Sequence, residues 1–199
     1  MEIRKPDNRM IQTNDGIIRI IQEDKWMMDI LRSAQSLNLP DWWVCAGFVR
    51  SKIWDVLHEF NERTLLPDID VIYFDGSNVN EAIEKRYENR LKQHHPGIPW
   101  SVKNQARMHT VNNDYPYSSS TEAIAKFPET ATALGVQLDE DGRVVLTAPH
   151  GIEDVVNFHI RPTPYFSETK EQMEYYHHRI RKKNWQSVWH KVELLQMEK

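Results

Sequence analysis

Asp68-Ile69-Asp70-Val71-Ile72-Tyr73-Phe74 places two carboxylates one residue apart at the head of a run of strong strand formers. Alternate side chains of a strand share a face, so Asp68 and Asp70 are expected to point the same way, ~6–7 Å apart along the chain. Ile69 and Val71 then point to the opposite face, where a core takes them. Two adjacent like charges repel unless something cationic lies between them. A divalent metal meets that need, and a metal-bound carboxylate pair suits phosphoryl and nucleotidyl transfer. The competing reading is an exposed strand edge, but the residues beyond Asp70 are too apolar for an exposed ribbon.

Upstream, Trp42-Trp43-Val44-Cys45-Ala46 reads as a short apolar strand, broken at Gly47. Val49, Ile53, Val56, Leu57 and Phe60 then mark one face of a helix. A strand running through a glycine into a helix lets backbone approach a ligand closely, and the free N–H groups of a helix start favour phosphate. Arg50, one turn into that helix, offers a forked cation for phosphate oxygens, or a salt bridge across the helix. Downstream, residues 100–108 alternate as a strand that brings Lys103 and Asn104 beside the carboxylates. The solvated-face reading of Lys103 and Arg107 competes with a phosphate role.

Further out, 17–37 carries apolar residues at helical spacing, closed by Pro40 and preceded by the turn signal Asn14-Asp15-Gly16. Val79, Ile83, Tyr87 and Leu91 step by four as another amphipathic helix. Asp139-Glu140-Asp141-Gly142 is a hairpin signal between strands at 135–138 and 143–148. The last 30 residues read as a helix with one broad apolar stripe from Met173 to Leu195, starting near Ser167. The order of elements predicts an α/β (α+β) fold, a small mixed sheet flanked by helices with a C-terminal helix. The expected division is a lead-in over 1–16, a main domain over 17–165 and a helical tail over 166–199.

Composition narrows the function classes. The 199 residues carry 40% hydrophobic content and a net charge of −4, enough for a core and too acidic for a general nucleic-acid wrapper. A polyanionic substrate needs a local positive site, and long DNA is not expected. The single cysteine, Cys45, rules out an internal disulfide framework and fits a reducing cytoplasm. No apolar run is long enough for a membrane span. The pairs His94-His95 and His177-His178 lack the spacing of a zinc site. His177 to Lys183 form a basic patch, a solvated helix face with neighbouring Tyr175, Tyr176 and Trp185 that also permits RNA contact.

Ala46-Gly47-Phe48-Val49-Arg50 followed by Asp68-Ile69-Asp70-Val71 resembles the nucleotidyltransferase superfamily, which shares the palm fold of DNA polymerase beta. The Gly-x-Val-Arg wording is similar to the head of the CCA-adding and bacterial poly(A) polymerase branch. Over roughly 20–165 the chain looks like a family of uncharacterised bacterial nucleotidyltransferase-like proteins, in the blocks 100–109, 128–133, 148–151 and 161–164. The resemblance implies a palm-type sheet and an enzyme that moves a nucleoside monophosphate from a nucleoside triphosphate to a hydroxyl. It implies Mg2+ or Mn2+ on Asp68 and Asp70, with Gly47, Phe48, Arg50 and Lys103 around the phosphates. It places the neutral Asn104 where the family has a third acid. Phe48 stands where a second small residue is usual, and Ser51 where the polymerase branch has Asp. The acceptor is open among a small molecule, a protein side chain and an RNA end. Loss of the third acid also admits a degenerate module that binds nucleotide or RNA without turnover. A third reading makes the Trp-rich end a docking element for a partner protein.

Overall fold

A computed structural model describes residues 11–195. Where one helix was expected over 17–37, two form: α1 (Asn14–Gln22) and α2 (Lys25–Gln35). The division is local chemistry. Thr13 caps α1 by accepting from Gly16 N–H, so Asn14-Asp15-Gly16 is a first helical turn and not a separate turn. Asp24 interrupts the run because its carboxylate accepts from Met27 N–H at 3.1 Å and starts α2 afresh. Lys52 and Arg63 hold the same carboxylate at 2.8 and 2.6 Å. Residues 1–9 of the expected lead-in, and Met10, lie outside the described residues.

β1 (Trp43–Cys45) leads through Ala46 into α3 (Gly47–Leu57), and β2 (Ile69–Tyr73) follows. α4 (Glu81–His94) then crosses to β3 (Trp100–Asn104). The strand expected over 100–108 stops at Asn104, whose side chain caps a new helix, α5 (Gln105–Asn112), by accepting from Ala106 N–H. α6 (Ser120–Ala125) precedes the hairpin of β4 (Gly135–Leu138) and β5 (Val144–Thr147). That hairpin forms as its turn signal predicts: Arg143 N–H donates to Asp139 Oδ1 at 2.8 Å, and Gly142 takes a φ of 75°.

The five strands lie in the order β3-β2-β1-β4-β5, with β2 and β3 parallel and the other neighbours antiparallel. This is the small mixed sheet with flanking helices that the element order predicts. One face carries Val44, Ile69, Val71, Tyr73, Trp100 and Val102 into the main core with α1, α2 and α3. The other face carries a smaller cluster of Trp43, Cys45, Ile72, Ile124 and Ala133. Gly135 fits closely there: a Cβ would meet the tip of Ile124, Cδ1, at 2.9 Å and Thr147 Cγ2 at 3.1 Å, so both side chains would have to shift.

After α7 (Glu153–Val156) and β6 (His159–Ile160), α8 (Lys170–Lys183) begins at a capping box of Thr169 and Gln172. The terminal helix expected to run on to Leu195 ends at Asn184, which turns left-handed with φ 43°. The chain then folds back and closes as β7 (Glu193–Leu194), parallel to β6. Tyr176, Ile180, Trp185, Trp189 and Val192 are buried in the same cluster as α1–α3. Among the described residues no helix is long and apolar enough to cross a membrane.

Candidate active site

The site forms where β1 ends and β2 begins. Cys45 is registered opposite Asp70 in the antiparallel pair, and Ser101 opposite Asp70 in the parallel one. Registered partners share a face, so Cys45, Asp70 and Ser101 line up on the sheet face opposite the main core. Asp68 lies one pleat before Asp70 at the exposed end, and the buried Cys45 thiol is pushed well up by burial and then by the charges of Asp70 and Asp68. The charges of both acids thus reach the Cys45 thiol, and the charge of Asp68 reaches Asp70. Asp70 is half-buried. Burial, then repulsion from Asp68, raises its carboxyl to about 6, against the pull of the Ser101 hydroxyl and of Lys183 and Arg179 on α8.

The turn between β1 and α3 is strained. Ala46 takes φ 55° and ψ −117°, a region that side chains rarely adopt, costing about 1–3 kcal/mol. Its N–H donates to Leu134 O at 2.9 Å, and its carbonyl accepts from Val49 and Arg50 N–H at 3.2 and 3.0 Å. No side chain caps α3, whereas Thr13, Asp24, Asn80 and Thr169 cap α1, α2, α4 and α8. The Gly47 and Phe48 N–H groups thus have no intrahelical acceptor. A Cβ on Gly47 would meet Arg50 Nη2 at 3.7 Å and Leu66 Cδ2 at 4.0 Å, ordinary contacts, and its φ is not positive. Nothing in the protein's own packing requires a glycine there. The ledge it leaves follows two residues after Cys45, the register partner of Asp70.

Arg50 is 7% exposed, and its guanidinium lies over the rings of Trp54, Trp185 and Trp189. Burial pulls it down to about 10, which keeps it charged at neutral pH. It makes no salt bridge among the described residues, so the salt-bridge reading is not what the structure shows.

Three expected site residues are corrected. Asn104 is registered with Tyr73 and faces the main core, away from Asp70. Its amide is fully used: Oδ1 accepts from Asp75 and Ala106 N–H at 3.0 and 3.1 Å, and Nδ2 donates to Asp75 and Asn78 O at 2.8 and 3.0 Å. One strand residue decides the face, and the position beside Asp70 is Ser101. Phe48 is 1% exposed, with its ring 5.9 Å from that of Trp26, so its side chain is core. Lys103 lies two residues along β3 from Ser101, away from the Gly47 end, with Nζ 3.8 Å from Glu84. Arg107 likewise spends its fork on buried Glu84 at 2.8 and 2.9 Å.

Missing from the sequence reading were Ser101, the tryptophan walls of Arg50, and the buried ion pair of Glu129 with Arg179. The abundance of tryptophan was visible, but packing explains most tryptophans, and spacing does not tell which ones meet an arginine.

The sequence profile of a family described as Nucleotidyltransferase matches residues 32–194. A solved structure described as a CCA-adding enzyme head domain, by NMR, is 36% identical, with 96% of this chain and all of that one aligned at a TM-score of 0.84. The chain belongs to the nucleotidyltransferase family. It is accordingly a nucleotidyltransferase of the polymerase beta type of fold, an enzyme that uses nucleoside triphosphates. A CCA-adding enzyme solved with CTP aligns at TM-score 0.60 and 14% identity over 90% of this chain. The Thermotoga maritima CCA-adding enzyme solved with tRNA aligns at 0.58 and 14% over 91%. These two share the fold; this nucleotidyltransferase spans 43% and 42% of their length. A search of curated proteins finds no match.

Proposed function

We propose that this nucleotidyltransferase transfers a nucleoside monophosphate to a hydroxyl acceptor with a divalent cation, Mg2+ or Mn2+, held by Asp68 and Asp70. Two carboxylates at one sheet end supply the hard oxygen donors that such cations take, completed by phosphate oxygens and water. When bound, the cation neutralises triphosphate charge and favours ionisation of an attacking hydroxyl. The protein's own groups position the chain of phosphates: the Gly47 ledge admits them closely, the Gly47 and Phe48 N–H groups donate, and Arg50 supplies a fixed positive charge. The acceptor oxygen bonds to the α-phosphorus, the bond from that phosphorus to the β-phosphate oxygen breaks, pyrophosphate leaves with the electron pair, and the acceptor proton passes to solvent.

The observation that carries this reading is Gly47. The residue is a glycine although neither its φ nor its neighbours need one, beside an uncapped helix start and a repelling pair of acids. A thermal-shift screen of the four nucleoside triphosphates with Mg2+ or Mn2+ tests it. Metal-dependent stabilisation is expected in wild type and absent in Asp70→Asn. Equal stabilisation of the two proteins would overturn it.

One observation favours the second reading, nucleotide binding without turnover. Ser101 stands beside Asp70 where a further acid would fit, and no cluster of three metal-ligating side chains forms among the described residues. Pyrophosphate release with labelled nucleotide separates the two readings. The likeness to enzymes solved with CTP and tRNA makes RNA ends the first acceptors to try, ahead of small molecules and protein side chains.

A further inference from the structure

Arg50 is an unusual buried cation. Its guanidinium carbon lies 5.0 Å from the ring centroid of Trp54, 4.4 Å from Trp185 and 5.6 Å from Trp189. The three indoles pack edge-on: the Trp54 ring is 5.9 Å from Trp185 and 5.1 Å from Trp189. Two are pinned by their own donors, Trp54 Nε1 to Val155 O at 2.9 Å and Trp189 Nε1 to Asp55 Oδ1 at 2.8 Å. Arg50 feels the charges of Glu129, Asp55 and Asp68 without bonding to any of them: Glu129 is already spent on Arg179 and Thr132, Asp55 on Trp189 and Thr64, and Asp68 stands exposed before β2. Among the described residues, buried Arg50 Nε has no hydrogen-bond partner, and Nη2 has the Ser51 hydroxyl alone at 3.3 Å. An arginine whose task is structural satisfies its fork with carboxylate or carbonyl oxygens. Here π faces hold the cation without neutralising it, and its Nη2 end lies against the Gly47 ledge.

We propose that Trp185 and Trp189, contributed by the chain after α8, are positioning residues that hold Arg50 as an unneutralised cation for the phosphates at the Gly47 ledge. The C-terminal segment is then part of the binding site and not only of the core. The phosphate ledge itself is the reading of the preceding subsection, on which this inference rests.

The test uses the full chain and a probe without a base, magnesium tripolyphosphate. Its dissociation constant is measured by calorimetry for wild type, Trp185→Phe, Arg50→Gln and the double variant, with Asp70→Asn as reference. Trp185→Phe is expected to keep the fold, as read by its melting transition, and to bind about tenfold more weakly. In the Arg50→Gln background the same substitution is expected to change nothing, because the tryptophan acts through the arginine. A purely structural tryptophan gives the same loss in both backgrounds, or none in either, and either result overturns the proposal. As a measurement that needs no variant, the ring-shifted Arg50 Nε–H resonance of 15N-labelled wild type is expected to move on adding the probe. A resonance that stays in place while the probe binds also overturns it. Failure of wild type to bind the probe, or unchanged binding by Asp70→Asn, refutes the ledge reading and this inference with it. Intact binding that needs Asp70 but ignores Trp185 refutes this inference alone.

Discussion

Trp189 donates its indole Nε1–H to Asp55 Oδ1 at 2.8 Å, joining the segment after α8 to the last turn of α3. The same carboxylate accepts from Thr64 N–H at 2.9 Å and Thr64 Oγ1–H at 2.7 Å. Asp55 thus ties three segments together: the helix behind the Gly47 ledge, the loop that delivers Asp68, and the segment that walls Arg50.

Asp55→Ala leaves three donors without their acceptor in a buried place. Loss of about 3–5 kcal/mol of unfolding free energy is expected, read from urea denaturation. Asp55→Asn keeps an acceptor oxygen and is expected to lose less. Equal stability of Asp55→Ala and wild type would remove the hub.

Truncation after Arg161 removes Tyr176, Ile180, Trp185, Trp189 and Val192 from the main core. The shortened chain is expected to be insoluble or to lack a cooperative melting transition. A soluble, cooperatively folded monomer would show the segment to be dispensable.

Gly47→Ala separates binding from folding. The added methyl meets only ordinary contacts, and alanine is the better helix former, so the melting temperature is expected to hold or rise slightly. Affinity for magnesium nucleotide is expected to fall, because the methyl occupies the ledge. Calorimetric titration beside a melting curve measures both.

Asp70→Asn is expected to trade function for stability. Burial and Asp68 raise the folded carboxyl to about 6, so in the metal-free protein its contribution is lost as pH rises through that value. At pH 8 without metal the amide variant is expected to melt higher than wild type, and with metal nucleotide to gain nothing. A lower metal-free melting temperature for the variant would contradict this account of Asp70.

His58 gives stability the opposite pH dependence. Its Nδ1 lies 2.8 Å from Trp54 O, and Lys191 N–H donates to Nε2 at 3.2 Å, an arrangement that only the neutral ring with its proton on Nδ1 satisfies. Burial, then Lys191 and His190, lowers its pKa, against Asp55 and the Trp54 carbonyl. A depressed folded pKa means stability present above the ordinary imidazole value of about 6.5 and lost as pH falls through the folded value. His58→Gln is expected to flatten that acid slope in urea titrations at successive pH values. An unchanged slope would place the titration elsewhere.

Much of the site was legible because it is local. Asp68 and Asp70 stand one residue apart at the head of an apolar strand, and Gly47 stands between an apolar strand and a helix. The misreadings have separate causes. Asn104 falls with Trp100 and Val102 on the core face of β3, opposite to Ser101 and Asp70. Phe48 turns into the core from the first turn of α3. Lys103 shares the face of Asp70 but stands further along β3, registered with Ile72. β3 stops at Asn104 because that side chain caps α5. The split at Asp24 and the stop at Asn184 are likewise set by single caps within longer periodic runs.

By itself the sequence determined the alternation of helix and strand, the acid pair and the glycine turn, because these follow from spacings of two to four residues. Which residues stand around them was decided by the tertiary structure alone. The register of β3 put Ser101 beside Asp70, and the fold-back after Asn184 brought Trp185 and Trp189 onto Arg50. Those meetings join residues more than 30 and more than 130 positions apart, and only the burial of one continuous core selects such partners.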